Sequence, residues 1–318
     1  MRQLKPALTL SEQVDRLISR GMIVENREEA MRILGEVNYY RFTGYSFLFQ
    51  KGNNQYHKGT SFNNIILLIR FDSELRSVLM DALEKIELYT RTKIAHVFSL
   101  AHDRNGGAYY DPAFAYNKDF HQDFLTDLEA QIDKNAQQPF VAHHIREFGG
   151  KMPLWCAVEI LPFSRLSKLY NNMLNPDKSL IAANMNTDAM HLDNWLHCFS
   201  VLRNACAHYC RLYQNVCSPS VSIDSKFYRL HPDVFGDSLF AYIIAMLRIM
   251  PRAEWKSQFR NDLFQLAEKY GSVNLSGIGF PIDWKEILLD DNNITLQPVS
   301  DVKKAIPNLL PLSEESIQ

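Results

Sequence analysis

The chain is short of glycine and proline, with 13 of each among 318 residues. Together they make up about 8% of the chain, whereas ordinary globular proteins contain roughly 12%. Both residues interrupt helices, so their scarcity favours an all-α fold. All-β and repeat architectures are disfavoured for the same reason.

An excess of one charge is also missing, because 34 Lys and Arg balance 36 Asp and Glu for a net charge of -2. Any binding to nucleic acid must therefore come from a local basic patch. The most apolar stretch, 239–250, contains Arg248 and is followed by Pro251. It falls short of the roughly 18 apolar residues that a membrane span needs, so we expect a buried helix and no membrane contact.

Cysteine is scarce and odd in number, with five residues, of which four lie between Cys198 and Cys217. The first ten residues lack the apolar core of a secretion signal. We therefore expect no disulfide framework and a reducing, cytoplasmic location. The cysteines and histidines of 197–217 also lack paired ligand spacings, so we expect no metal site.

Apolar residues at three- and four-residue steps predict helices along most of the chain. The predicted helices are 11–20 capped by Ser11, 27–37 capped by Asn26, 63–102, 118–137, 154–173, 187–213 capped by Thr187, 238–250 and 253–270. Two short strands are predicted at 218–224 and 293–299. We divide the chain into an N-terminal helical segment (1–55), a helical core (56–216) and a C-terminal helical region (217–318) whose polar tail starts at Asp301.

The segment 39–50 is dense in aromatic residues, with the sequence YYRFTGYSFLFQ. Such a segment either packs as a hydrophobic wedge against the main core or offers rings on which bases stack.

Most of the chemistry lies in WLHCFSVLRNACAHYCRLY (195–213), where Arg203, Asn204 and His208 interrupt an apolar helix. Asn204 and His208 are four residues apart, so they project within about 40° of each other. These groups suit RNA cleavage by the internal 2′-hydroxyl: an imidazole moves protons at neutral pH, and a guanidinium stabilises the phosphorane. That chemistry requires no metal and no other cofactor.

The spacing of Arg203 and His208 is weak when taken alone, because Arg91 and His96 repeat it in RTKIAH. A histidine that fills a polar gap and an arginine that reaches outward would explain either pair. Asn204 distinguishes the second pair, since we expect it to be buried, and a buried asparagine is costly without partners.

Several segments, in this order, resemble the Abi-like family of bacterial phage-defence proteins (abortive infection, AbiD/AbiF-type), which belongs to the HEPN superfamily of helical ribonucleases. The segments are KPALTLSEQVDRLISRGM, NYYRFTGYSFLF, FDSELRSVLMDALEKIELYTRTKIAH, PLWCAVEILPFSRLSKLY and LRNACAHYCRLY, within 4–215. The family's R-N-x-x-x-H signature matches Arg203, Asn204 and His208. The resemblance implies a HEPN-type helical bundle and a metal-independent endoribonuclease toxin whose site forms between two paired domains, hence a homodimer.

The resemblance also concerns regulation. HEPN toxins controlled by adenylylation carry a tyrosine two places after the histidine, where this chain has Cys210, and Tyr209 stands one place early. Adenylylation is therefore not expected. A regulatory noncoding RNA or an antitoxin is a candidate partner. The alternative reading is a noncatalytic HEPN module that binds RNA or a protein.

Other side chains are candidates for supporting the site or binding RNA. Glu87 and Arg91 either form an ordinary i,i+4 pair, or one of Glu84, Glu87 and Glu159 orients a catalytic residue from a neighbouring helix. Arg91 and His96 are the candidates for a second site. The basic residues that could form one RNA-binding surface are Lys93, Arg165, Lys168 and Arg211, together with Arg203.

Overall fold

The computed structural model describes residues 6–295, and every regular element in that range is a helix. Isolated bridge pairs occur, but no strand forms among the described residues. The predicted all-α class is confirmed. The helices are α1 (Leu10–Ser19), α2 (Arg27–Glu36), α3 (Tyr39–Ser46), α4 (Phe62–His102), α5 (Lys118–Lys134), α6 (Pro139–Phe148), α7 (Leu154–Ile160), α8 (Phe163–Asn171), α9 (Asn175–Ala183), α10 (Ala189–Ala207), α11 (Ser225–Leu230), α12 (Leu239–Ile249), α13 (Ala253–Lys269), α14 (Trp284–Leu289) and α15 (Asp291–Ile294).

The first two helices start at side-chain caps. Thr9 caps α1, and the Glu12 side chain binds back to the Thr9 amide, which completes a capping box. The prediction that Ser11 is the cap was therefore wrong by two residues, because the reciprocal Thr9–Glu12 pair satisfies two amides at once. Asn26 caps α2 as predicted and accepts from the Glu29 amide at 3.0 Å.

The centre of the fold is α4, a single helix of 41 residues without glycine or proline. At 1.5 Å per residue it is about 60 Å long. Ser61 caps its start, and α3, α7, α10 and α13 all pack against it. The sequence predicted either one long helix or two collinear ones, and the structure has the single helix.

Two predicted helices have wrong bounds. The stretch 154–173 is divided into α7 and α8 by Pro162, because a proline favours an extended residue before it, and Leu161 has ψ 132°. The predicted helix 187–213 starts later, capped by Asp188 instead of Thr187, and ends at Ala207. The helices α3, α6, α9, α11 and α15 were not predicted.

The predicted strand at 218–224 does not form. Its backbone amides bind elsewhere: the Val221 amide donates to the Gly236 carbonyl at 2.8 Å, and the Ser222 amide donates to Asn194 Oδ1 at 2.7 Å. The second predicted strand, 293–299, starts inside α15, which Thr295 caps. Residues 296–299 and the polar tail lie outside the described residues.

The C-terminal helices share the core of the central ones. All 11 residues of α12 are buried, and α12 packs against α4, α10 and α15. Within α12, Arg248 is ion-paired with Asp224 at 2.6 Å and donates to the Asn293 carbonyl at 2.8 Å. One hydrophobic cluster runs from Val14 to Ile294. The division into 1–55, 56–216 and 217–318 stays a prediction.

The aromatic segment 39–50 has buried and exposed rings, and base stacking on the exposed rings stays a prediction. Phe42 and Tyr45 are buried in the core, as a hydrophobic wedge requires, whereas Tyr40 and Phe47 are 86% and 67% exposed. Phe42 stacks on Phe62 at the start of α4, with ring centroids 4.7 Å apart. This packing fixes α3 against the first turns of α4.

Candidate functional site

Arg203, Asn204 and His208 lie together at the end of α10. Arg203 and Asn204 belong to its last turns, and His208 is the residue that caps it. The His208 amide still donates to the Asn204 carbonyl at 2.9 Å, so the two side chains start one helical turn apart, as predicted. Asn204 and His208 are exposed, and the Arg203 side chain is 40% exposed. The expectation that Asn204 is buried was wrong, so a burial cost does not explain its presence.

The chain reverses direction directly after His208. Tyr209 has a φ of 57°, in the left-handed region that favours glycine. Its amide donates to the Cys206 carbonyl at 3.1 Å, and the Cys210 amide donates to the Ala205 carbonyl at 2.9 Å. These two bonds are those of a Schellman helix end. The turn ends α10 while leaving His208 at the surface.

A buried aspartate on α4 holds the chain that follows this turn. Asp72 is fully buried and accepts hydrogen bonds from the backbone amides of Leu212 at 3.1 Å and Tyr213 at 2.9 Å. It also accepts from Tyr45 Oη and Arg76 Nη1, each at 2.7 Å. Burial, followed by the Asp72 charge, raises the pKa of Tyr45 to about 12, which keeps its hydroxyl a donor. We call Asp72, Tyr45 and Arg76 the buried anchor.

Three arginines connect the turn to α3 and α4 through backbone carbonyls. Arg76 Nη1 also donates to the Cys210 carbonyl at 3.1 Å, and Arg41 Nη1 donates to the Tyr209 carbonyl at 2.8 Å. Arg211 donates in the opposite direction, to the Gly44 carbonyl on α3. The helices α3 and α4 therefore fix the position of His208 through the segment that follows it.

Sequence reasoning missed the buried anchor. Its only signal was the i,i+4 pair of Asp72 and Arg76 in FDSELR, a spacing that is usually an exposed surface pair. Asp72 directly follows Phe71 and Arg76 directly follows Leu75, and both of these apolar residues are buried. A charged pair beside such residues was a sign of a buried ion pair.

Arg203 contacts a second buried carboxylate on α4. Glu87 is 9% exposed, and its Oε2 lies 3.7 Å from Arg203 Nε. Its Oε1 accepts from Arg91 Nη2, which also donates to the Leu161 carbonyl at 2.7 Å. Glu87 thus forms the predicted i,i+4 pair and also reaches the motif arginine. Glu84, by contrast, is exposed and makes no ion pair within residues 6–295.

The structure brings the candidates for a second site together. Arg91, His96 and Glu159 line one cleft of about 310 Å³ between α4 and α7. His96 and Glu159 are exposed at its mouth, whereas Arg91 is buried. Arg91 links this cleft to the motif, because it shares the Glu87 carboxylate with Arg203.

The predicted RNA-binding residues lie in separate places. Arg165 and Lys168 line a cavity of about 290 Å³ that shares no residue with the cleft of Arg91 and His96. Arg165 is ion-paired with Asp127. Lys93 is half-buried, which lowers its pKa, and its Nζ lies 5.6 Å from the centre of the Tyr89 ring.

Three further features concern the cysteines, metal ligands and membrane spans. All five cysteines, including Cys206 and Cys210 beside the motif, are free thiols. Among residues 6–295, no three or more His, Cys, Asp and Glu side chains are grouped so that they could hold a metal ion. None of the helices in this range has the length and hydrophobicity of a membrane span.

The fold and the site define an all-helical protein that exposes an Arg-Asn and a histidine at one helix end. The sequence profile of the family described as Abi-like protein matches residues 32–214, which include the buried anchor, Glu87 and the whole motif. The chain belongs to this family, and membership associates it with abortive infection. Neither a curated protein nor a solved structure matches the chain.

Proposed function

We propose that this protein is a metal-independent endoribonuclease, a toxin of the HEPN type that acts in abortive infection. One observation carries the proposal: Arg203, in contact with buried Glu87, lies five residues before the exposed His208 at the same helix end, and the buried anchor fixes the position of His208. Family membership supports the biological setting.

The chemistry assigns one role to each residue of the motif. His208 makes no side-chain hydrogen bond within the described range, so its ring is available to take the proton of a ribose 2′-hydroxyl. The resulting oxygen attacks the adjacent phosphorus, and Arg203 stabilises the charge of the phosphorane. Asn204 donates a hydrogen bond to a phosphate oxygen. The leaving 5′-oxygen then needs a proton from a second group.

A second copy of the chain would supply that group. Each chain carries one histidine at the motif, and a two-fold axis beside it would place two histidines on one RNA strand. Exposed rings on the surrounding elements suit such an interface, since Tyr40, Phe47 and Tyr209 are 86%, 67% and 69% exposed. Light scattering of active protein should therefore give a dimer.

Cleavage in the presence of EDTA tests the proposal. Purified protein should cut RNA and leave 2′,3′-cyclic phosphate ends or their 3′-phosphate products, because the nucleophile is internal. His208→Ala should lower the rate by roughly 10²–10⁴-fold. His197→Ala is the matched control, since His197 is an exposed histidine on the same helix.

Other outcomes would contradict the nuclease assignment. Loss of all cleavage on chelation, or 3′-hydroxyl ends, would point to metal-dependent hydrolysis. A folded His208→Ala variant with an unchanged rate would favour the alternative, a noncatalytic HEPN module that binds RNA or a protein. If the nuclease assignment holds, a regulatory noncoding RNA or an antitoxin that silences the toxin should co-purify with the His208→Ala chain.

A further inference from the structure

The cleft between α4 and α7 contains buried donors that lack acceptors. Arg91 is 8% exposed, and although its Nη2 binds Glu87 and Leu161, its Nη1 has no hydrogen-bond partner among the described residues. The Ser99 hydroxyl, on the same wall of the cleft and 4% exposed, also lacks one there. Buried donors are rarely left unsatisfied, so this wall is suited to a ligand that brings acceptor oxygens.

A second cation lies at the mouth of the cleft. Arg104 is exposed, lines the cleft and forms no ion pair within residues 6–295. His96 lies on the same rim, and Glu159 is the only acidic residue of the lining. Because Arg91 is paired with Glu87, the groups left to meet an anion are Arg104 and the Nη1 of Arg91, which has no hydrogen-bond partner among the described residues, and guanidinium groups match the oxygens of phosphate.

An aromatic platform forms the other wall. Trp155 at the start of α7 is 46% exposed, and its ring packs against Gly106. A Cβ on Gly106 would lie 2.5 Å from Cζ3 of the ring, and the φ of +74° at this residue also favours glycine. The ring is thus held against the backbone on one side while much of its surface faces the cleft. Exposed rings fixed in this way stack nucleobases.

We propose that this cleft binds a phosphate-bearing nucleotide, with the phosphate at Arg91 and Arg104 and the base on Trp155. Glu159 is placed to accept a hydrogen bond from a ribose hydroxyl. Such a nucleotide comes either from an RNA strand or from a free mononucleotide. The identification of an RNA strand rests on the proposed nuclease function, since Arg91 shares the Glu87 carboxylate with Arg203 and the strand would continue toward His208.

Tryptophan fluorescence measures this binding without any cleavage. Adenosine 5′-monophosphate should quench the fluorescence of the His208→Ala chain saturably, and adenosine or inorganic phosphate alone should bind at least about tenfold more weakly, because each lacks one of the two contacts. Arg104→Gln should lower the affinity for adenosine 5′-monophosphate by about tenfold. Arg104 is exposed and unpaired in the described range, so its loss should not disturb folding.

Trp255 and Arg252 provide a matched control. They also form an arginine–tryptophan pair, with the guanidinium 5.1 Å from the ring centre, but neither residue lines the cleft. Trp155→Phe should abolish the quenching, whereas Trp255→Phe and Arg252→Gln should leave it unchanged. Quenching that survives Trp155→Phe, or an affinity unchanged by Arg104→Gln, would overturn the proposal, as would the absence of saturable binding.

Competition identifies the source of the nucleotide. A single-stranded oligoribonucleotide that displaces the mononucleotide at lower concentration supports an RNA strand, and a mononucleotide that binds without such displacement supports a free effector. The outcomes separate the two proposals. Nucleotide binding without any RNA cleavage would leave the cleft standing and refute the nuclease, and RNA cleavage without saturable binding of the mononucleotide would do the opposite.

Discussion

Removal of the Asp72 carboxylate should destabilise the protein far more than removal of an equivalent surface charge. In the intact pair, the side chain of Arg76 is 5% exposed and that of Asp72 is 0% exposed. In Asp72→Ala, the guanidinium of Arg76 keeps its buried position but loses its counter-charge. Removing one partner of a buried ion pair costs about 3–5 kcal/mol. Whole domains are stable by only about 5–15 kcal/mol, so the variant should lose a large part of its stability.

The same helix offers a matched control. Asp81 and Lys85 have the same i,i+4 spacing at 2.5 Å, but the Asp81 side chain is 55% exposed. Asp81→Ala should therefore cost only about 0.2–0.5 kcal/mol. Urea unfolding of both variants, with the midpoint and the slope measured for each, gives the comparison.

A conservative variant separates charge from shape. In Asp72→Asn the remaining carbonyl oxygen can still accept from the amides of Leu212 and Tyr213, but the new amide group faces donors of Tyr45 and Arg76. We expect a loss of about 1.5–3 kcal/mol, the range for hydrogen bonds to a charged group. Faster amide hydrogen exchange at 209–213 than in the intact chain should accompany it. Equal costs for Asp72→Ala and Asp81→Ala would refute the buried anchor.

Two further predictions concern Glu87 and Tyr45. Glu87→Gln removes the carboxylate shared by Arg203 and Arg91, so kcat for RNA cleavage should fall by up to roughly 10²-fold with little change in KM, whereas Glu84→Gln should have no effect on either. Because Tyr45 ionises near pH 12 when folded and near pH 10 when unfolded, its contribution is complete below pH 10 and is lost as the pH rises to about 12, by about 2–3 kcal/mol. Tyr45→Phe should lose less stability over this range in urea unfolding, and an identical pH dependence would contradict the assignment.

The long-range periodicity of the sequence was sufficient to predict α4, α12 and α13, because their apolar residues recur without interruption by glycine or proline. The ends of α10 could not be predicted from this pattern. The apolar and polar pattern continues from Ala207 to Tyr213, yet the helix stops, because the amides of Leu212 and Tyr213 bind Asp72 instead of preceding carbonyls. A contact between residues 140 positions apart leaves no local pattern in the sequence.

The candidate site, too, was only partly predictable from the sequence. Spacing placed Asn204 and His208 on neighbouring turns, which the structure confirms. Spacing did not predict that Glu87 reaches Arg203, since the i,i+4 partner Arg91 already explained it. Nor did the count of basic residues on the central helices show that Arg165 and Lys168 line a different cavity from Arg91, because that depends on how α8 packs.

The packing of the C-terminal region suggests why the chain extends beyond the family match at residue 214. The end of α13 contacts α4 two positions after Asp72. Nζ of Lys269, the last residue of α13, and Oη of Tyr270, which caps it, each lie 2.7 Å from a carboxylate oxygen of Glu74. Tyr270 also packs edge-on against Phe71, with ring centroids 5.6 Å apart. The same stretch of α4 holds the segment after His208. By packing against this stretch, α13 therefore stabilises the site without supplying a residue to it.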